Sequence, residues 1–249
     1  QETLYDQLAD ICNIDQLEFR KINALKDGEK TVCGQKLEGV GILECLNSLT
    51  EIWKKAVKNS DEFNKKSNLI KRGVGLGSCW YGCGNTALPN PATIKIGINK
   101  FGKLFLHQGA TDIGQGSNTV ITQICADALG VSIETFFLIG PDTHLTPDCG
   151  KTSASRQTYI TGKAAELAGK SLRNKILRLS NMGPEANINF INDTIVIEQT
   201  NKTHVLKLNE MNENQDKYVL SSLETYDPPT IPLDENGQGK PYAVYGYGV

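Results

Sequence analysis

Gln108-Gly-Ala-Thr-Asp-Ile-Gly-Gln-Gly-Ser-Asn-Thr119 decides how this chain is read. It follows a strand-like run, Lys103-Leu-Phe-Leu-His107, and precedes a helix-like run, Val120 to Leu129. A glycine-rich turn between a strand and a helix start leaves backbone N–H groups unpaired and aimed outward, where they suit an anion or a flat polar ligand. A plain tight turn would use the same residues, and both readings stand. A second turn, Gly150-Lys-Thr-Ser-Ala-Ser-Arg-Gln157, lies just before another long helical run. Two such turns point to one large anionic ligand held between two helix starts.

Outward from these turns, the periodicity sets the elements. Thr93 to Ile98 and Leu104 to His107 read as a hairpin around Asn99-Lys-Phe-Gly102. The helix after Gly116 turns Val120, Ile124, Ala128 and Leu129 inward. Val131 to Phe136 reads as a helical turn capped by Ser132, and Phe137 to Gly140 as a short buried strand. Ser155 to about Leu179 is the longest helical run, with Ala164, Ala165, Leu167, Ala168, Leu172, Ile176 and Leu179 on its apolar side. Ile188 to Glu198 and Thr203 to Leu208 read as a strand pair, and Tyr218 to Thr225 as a further strand. Asp227 to Gly239 is a proline- and glycine-rich loop.

The N-terminal part is helical. Leu4, Leu8 and Ile11 share one face of a first helix. Asp15, with Glu18 three residues on, forms a capping box for a short helix ending near Asn23. Lys26 to Gly41 is loop. Ile42 to about Lys58 is helical, with a stripe of Leu43, Leu46, Leu49, Ile52, Trp53 and Ala56. Gly73 to Gly82 reads as a glycine-rich strand, and Tyr242 to Val249 as another. Strands and helices mix without regular alternation, which predicts an α+β fold. The expected division is a helical segment and connector over 1–71, then an α+β domain over 72–249.

With 249 residues, 39% of them hydrophobic, the chain can bury a sizeable core. A net charge of −2, from 26 basic and 28 acidic residues, gives no global pull on nucleic acid. No apolar run approaches the roughly 20 residues that span a bilayer, so no membrane partner is expected. Seven cysteines without a paired framework read as reduced thiols of a cytoplasmic protein, with Cys79 and Cys83 as buried free thiols. The close pair Cys79 and Cys83 lacks the neighbours a metal site needs. The chain begins without Met and stops inside a strand-like run, so it reads as a piece of a longer polypeptide.

Gln115 lies between two glycines with an amide that both donates and accepts, suited to an oxo group or a pterin ring. Ser155 reads as an N-cap; alternatively Thr152, Ser153, Ser155 and Arg156 together bind phosphate. Asp112, Asp142 and Asp148 are acid–base candidates, with capping and turn roles the plainer alternative. His107, His144 and His204 show no metal-ligand spacing.

The two turns, in this order, resemble the molybdenum-binding subunit of the xanthine dehydrogenase and aldehyde oxidoreductase family. The matching segments are Gly109-Ala-Thr-Asp-Ile-Gly-Gln-Gly-Ser-Asn-Thr119, then Gln123-Ile-Cys-Ala-Asp-Ala-Leu-Gly130, then Thr152-Ser-Ala-Ser-Arg-Gln-Thr-Tyr-Ile-Thr-Gly-Lys-Ala164. Glu18 to Asn23, Lys71 to Gly75 and Tyr242 to Val249 add supporting similarity. The resemblance implies the α+β, two-domain molybdopterin-binding subunit of a molybdenum hydroxylase. Its cofactor is a molybdenum–pyranopterin, as molybdopterin or its dinucleotide form. Iron–sulfur clusters and FAD sit on partner domains or subunits, and the substrate is a heterocycle, a purine first, or an aldehyde. By the same resemblance Gln115 touches a molybdenum ligand or the pterin. Ser153, Ala154 and Ser155 lie along the pterin and its tail, while Gly114, Gly116 and Arg156 shape these contacts. The family's catalytic Glu, in a Gly-Glu-Pro-Pro-like motif, has no match before Val249, so no catalytic residue is assigned in this segment. The chain alone is expected to be inactive. A non-catalytic phosphate- or nucleotide-binding module is the alternative of a different class.

Overall fold

The computed structural model describes residues 1–84, 89–240 and 245–249. The chain forms two compact units, Gln1–Ala87 with Thr230–Val249, and Leu88–Pro229. In chain order the first unit holds helices α1 (Glu2–Cys12), α2 (Gln16–Ile22), α3 (Ile42–Ser48) and α4 (Thr50–Lys66) and strand β1 (Cys79–Gly82). The second holds β2 (Ala92–Ile98), β3 (Leu104–His107), α5 (Ser117–Leu129), β4 (Phe136–Ile139), α6 (Gln157–Ser180), β5 (Asn187–Ile191), β6 (Thr194–Gln199), β7 (Lys202–Lys207) and β8 (Leu220–Tyr226). Strand β9 (Tyr245–Gly248) returns to the first unit and pairs antiparallel with β1. That pairing places the chain's last residues in the same compact unit as the N-terminal helices. The chain's last strand completes a ribbon that begins at Cys79.

Unit Leu88–Pro229 is built on a four-stranded sheet in the order β4-β3-β2-β8. The predicted hairpin β2–β3 is present, with Ile96 opposite Leu106 and Ile98 opposite Leu104. Strand β4 runs parallel to β3, so β3, α5 and β4 form a crossover unit with the first glycine turn at the carboxyl end of β3. Alternation puts Ile94, Ile96, Ile98, Leu104 and Leu106, all fully buried, on one face. Helix α6 covers β2 and β8 and packs along α5, which also touches β4. Burying Ile160, Leu172 and Ile176 of α6 stabilises this layer by roughly 1.5–3 kcal/mol per side chain. The helices approach closely because α6 has glycines at the crossing. A Cβ on Gly169 would stand 2.7 Å from the Cys125 carbonyl oxygen, and one on Gly162 would stand 2.8 Å from Ile124 Cδ1. Strands β5, β6 and β7 form a separate antiparallel meander.

Several expectations change here. The inward face of α5 is Ser117, Ile121, Thr122, Cys125, Ala126 and Leu129, about one position round from the expected stripe. The expected strand Ile188 to Glu198 is two strands, because Asn192 takes a left-handed conformation (φ 51°) and turns the chain. Strand β4 is an edge strand with Phe137 half exposed, not a buried one. Leu179 of α6 also faces solvent.

In unit Gln1–Ala87 with Thr230–Val249, Leu17, Leu46 and Trp53 form a small core with Ile42, Val57, Val74 and Leu76 against it. Asp15 caps α2 as expected, accepting from the N–H of Leu17 and of Glu18. Its second oxygen accepts from Trp53 Nε1 at 2.9 Å, tying α2 to α4. Glu18 is paired with Lys21. Arg20 is buried between Glu2 and Asp6, each 2.9 Å away. That ionic contact seats α1 with its Leu4, Leu8 and Ile11 stripe outward, contrary to the amphipathic expectation. The predicted helix at 42–58 breaks at Leu49 and then runs on to Lys66. The glycine-rich strand is confined to Cys79–Gly82, and residues 242–244 of the expected final strand lie outside the described ones. All seven cysteines are free, and Cys79 is exposed, not buried. Among the described residues no group of three or more His, Cys, Asp or Glu side chains is arranged for a metal ion, and no helix is long and apolar enough to cross a membrane.

Candidate functional site

The first loop leaves β3 with Gln108 fully buried. Gln108 Oε1 accepts from the Ala110 N–H at 3.0 Å, and its Nε2 donates to Asn118 Oδ1. Gly109 has no room for a side chain: a Cβ there would lie 2.5 Å from the Pro147 carbonyl oxygen. Asp112 then organises the turn. Its Oδ1 accepts from the N–H of Gly114 at 2.9 Å and of Gly116 at 3.3 Å, and Oδ2 from that of Asn118 at 3.1 Å. The N-cap of α5 is Gly116 in a left-handed conformation (φ 83°), which has no side chain to cap with, so Asp112 does the capping from four residues upstream. These N–H groups, Asn118 first, hold the Asp112 carboxyl below its ordinary pKa. Asp112 is thus a turn and cap residue. So are Asp142, which accepts from His144 and Leu145, and Asp148, which accepts from Gly150.

Gln115 is exposed at the tip. Its Oε1 accepts from the Ile113 N–H at 2.6 Å and its Nε2 donates to the Thr111 carbonyl at 3.3 Å, so the amide clasps its own loop. Gly114 (φ 101°) and Gly116 flank it, and a Cβ on either would meet nothing within 4 Å. The glycines answer to backbone angle and an open surface, not to crowding.

The second loop is organised from below. Arg156 is 1% exposed. Its Nη1 donates to the carbonyls of Cys149 (2.6 Å) and Lys151 (2.9 Å), and its Nη2 to those of Asn90 (2.9 Å) and Pro91 (3.0 Å). The guanidinium therefore points into the protein as a post for the loop; it is not presented outward as a phosphate ligand. Gln157 Nε2 adds donors to Lys151 O and Thr152 Oγ1, each 3.2 Å. Above this post, Ala154 (φ 55°) and Ser155 (φ 54°) are consecutive left-handed residues. Each costs roughly 1–2 kcal/mol relative to an ordinary conformation. Helix α6 begins at Gln157 with no side-chain cap, so Ser155 is not its N-cap. Instead the strained pair leaves Ser153 and Ser155 exposed at the rim.

The two loops meet. Thr152 Oγ1 donates to the Thr111 carbonyl at 2.9 Å, and the Gly109 N–H donates to Cys149 Sγ at 3.1 Å. Burial pushes the Cys149 thiol up, so it stays protonated and donates to the Thr93 carbonyl at 3.1 Å. All seven residues expected at the site (Gly114, Gln115, Gly116, Ser153, Ala154, Ser155 and Arg156) lie on these two joined loops. Beneath them Ser117 Oγ, at the first turn of α5, is buried without a hydrogen-bond partner. A free buried hydroxyl, open space over two glycines and exposed polar tips on both loops fit a polar ligand lying across the pair. Sequence reasoning missed Thr111, Thr152 and Cys149 as the links. Only Asp112, two residues before a glycine, carried a local turn signal.

The family described as the molybdopterin cofactor-binding domain matches residues 49–249. The chain belongs to this family. As a molybdopterin cofactor-binding domain it is similar to the xanthine dehydrogenase molybdenum-binding subunit of Escherichia coli O157:H7, with 32% identity over 183 residues, 71% of this chain and 24% of the relative. It is 27% identical to the xanthine dehydrogenase/oxidase of Gallus gallus over its whole length, which is 17% of that protein. The aldehyde oxidoreductase of Megalodesulfovibrio gigas is 29% identical over 174 residues, 69% of the chain and 19% of that protein. The chain thus spans about a quarter or less of the relatives it matches. In fold it resembles the crystal structure of the aldehyde oxidoreductase from Desulfovibrio desulfuricans ATCC 27774, with a TM-score of 0.69 and 24% identity over 99% of this chain and 24% of the other. The α+β class read from the sequence is that of this neighbour.

Proposed function

We propose that the chain is the molybdopterin-cradling part of a xanthine dehydrogenase-like molybdenum hydroxylase. In this reading the whole protein hydroxylates a purine or related N-heterocycle, taking the oxygen from water. The observation that carries it is the Thr152–Thr111 hydrogen bond, which makes one polar rim out of the two loops. Gln115, Ser153, Ala154 and Ser155 hold the pterin and its tail at this rim. Gly114 and Gly116 let it lie close to backbone N–H groups, and Arg156 and Asp112 keep the loops in shape. A molybdenum centre held there would supply the two-electron oxidation chemistry. The base that moves the proton comes from outside residues 1–249, and the electrons leave through iron–sulfur and FAD centres on partner domains or subunits.

An aldehyde substrate is the second reading, favoured by the relative named aldehyde oxidoreductase. Molybdenum-loaded parent protein, assayed for dye reduction with a purine and with an aromatic aldehyde, separates the two. Purine-dependent turnover supports the first reading. Turnover with the aldehyde alone replaces it with the second, and none with either overturns both.

A further inference from the structure

The far face of the sheet carries a polar network that the site above does not use. His107 ends β3 one residue before the first loop begins. Its ring is 5% exposed. Nδ1 lies 2.8 Å from the Leu145 carbonyl, and Nε2 lies 2.6 Å from the Tyr218 hydroxyl. A carbonyl only accepts, so Nδ1 carries the proton, and Nε2 accepts from Tyr218. Burial lowers the imidazole's pKa from its ordinary value; the Leu145 carbonyl opposes this, the Lys95 charge adds to it, and Asp216 opposes it. Tyr218 is itself fixed, its ring lying on Gly97, where a Cβ would meet it at 2.4 Å. Lys95 and Asp216 pair at 2.9 Å beside it.

Leu145 belongs to the segment that connects β4 to the second loop. We propose that His107 is a positioning residue for the cradle: by holding the Leu145 carbonyl from the end of β3, it sets the approach of the 149–156 loop to the 109–116 loop. The consequence for cofactor holding rests on the function proposed above; the latch itself does not. The geometry is economical. One imidazole, adjoining the start of one loop, grips the lead-in to the other, and the Gly109–Cys149 contact closes a few residues further along both segments. Fixing that lead-in leaves the rim little freedom to part.

The test uses the 249-residue chain and needs no cofactor, so its failure and the failure of the molybdenum reading are separate events. With three histidines in the chain, imidazole nitrogen NMR resolves His107 from His144 and His204. The expected spectrum shows His107 protonated at Nδ1 and bare at Nε2. Hydrogen exchange at the Gly109 amide then reports whether the loops are together. His107→Asn places an amide donor near Nδ1, whereas His107→Leu has the same size and no donor. Gly109 exchange should rise roughly tenfold in His107→Leu and stay within about threefold of wild type in His107→Asn. A proton on Nε2 in the wild-type spectrum, or equal Gly109 exchange in the two variants, would overturn the proposal. The tautomer measurement stands even if one variant fails to fold.

Discussion

The loops at 109–116 and 149–156 face the same space, yet they are built in opposite ways. The first is organised from its own surface. Asp112 and Gln115, neither of them buried, wrap their side chains back onto the loop's N–H and C=O groups. The second is organised from inside, by a buried guanidinium gripping at least four carbonyls. The first uses only glycine where the backbone turns left-handed; the second has Gly150 there but also forces Ala154 and Ser155 to do so. A ligand rim can thus be pliable on one side and stiff on the other. Gln115 can exchange its own-loop hydrogen bonds for a ligand, because water or ligand can take them over. Arg156 cannot let go without stranding buried carbonyls.

The largest effect expected is therefore in the second loop. Arg156→Leu removes charged donors from buried acceptors and should destabilise the unit by about 3 kcal/mol or more, read as a drop in the denaturant midpoint at unchanged slope. Next comes Gly109→Ala, where the added Cβ meets backbone at the junction between the loops. A cost of roughly 1–3 kcal/mol is expected, and a smaller one for Gly114→Ala, where only the backbone angle objects. Equal costs at the two glycines would mean that the loops do not press together at Gly109.

How much of this was legible beforehand depended on where the information lay. The hairpin β2–β3 and helices α5 and α6 followed from periodicity and from glycines at their ends. The seven site residues were marked by the resemblance, and the structure brings them to one place. What sequence could not show was direction. Nothing local tells that Arg156 turns inward, because its partners at Asn90 and Pro91 lie far away in the chain. Ser155 looked like a cap because serine usually caps, and the strained φ that prevents it is imposed by the loop around it. The stripe Leu4, Leu8 and Ile11 is amphipathic by spacing, but the Arg20 ion pairs decide which way α1 faces. Asn192-Asp193 is a polar pair between two apolar-alternating segments, and the left-handed Asn192 is what makes it a turn.

A smaller effect is expected at Asp112, and it depends on pH. Its pKa is lowered in the folded chain, so its contribution is complete above the ordinary carboxylate value near 4 and fades as pH falls through the depressed one. Melting curves of wild type and Asp112→Ala should differ at neutral pH and converge in strong acid. A gap that persists there would show that something other than the ionised cap is lost. Gln115→Ala should be the mildest for the fold, within about 0.5 kcal/mol, since its side chain is exposed. A larger loss would make the first loop as rigid as the second.

On the proposed function, the two joined loops hold a molybdenum cofactor. Molybdenum and pterin content of the parent protein, purified from its natural source and compared with Ser153→Trp, tests it most directly. Ser153 is exposed at the rim, so the bulky side chain fills the cradle and spares the core. Near-stoichiometric molybdenum and pterin in the wild type, with both lost from a Ser153→Trp protein of unchanged unfolding midpoint, is the predicted result. A wild-type protein with neither, or a variant that keeps both in full, would contradict it.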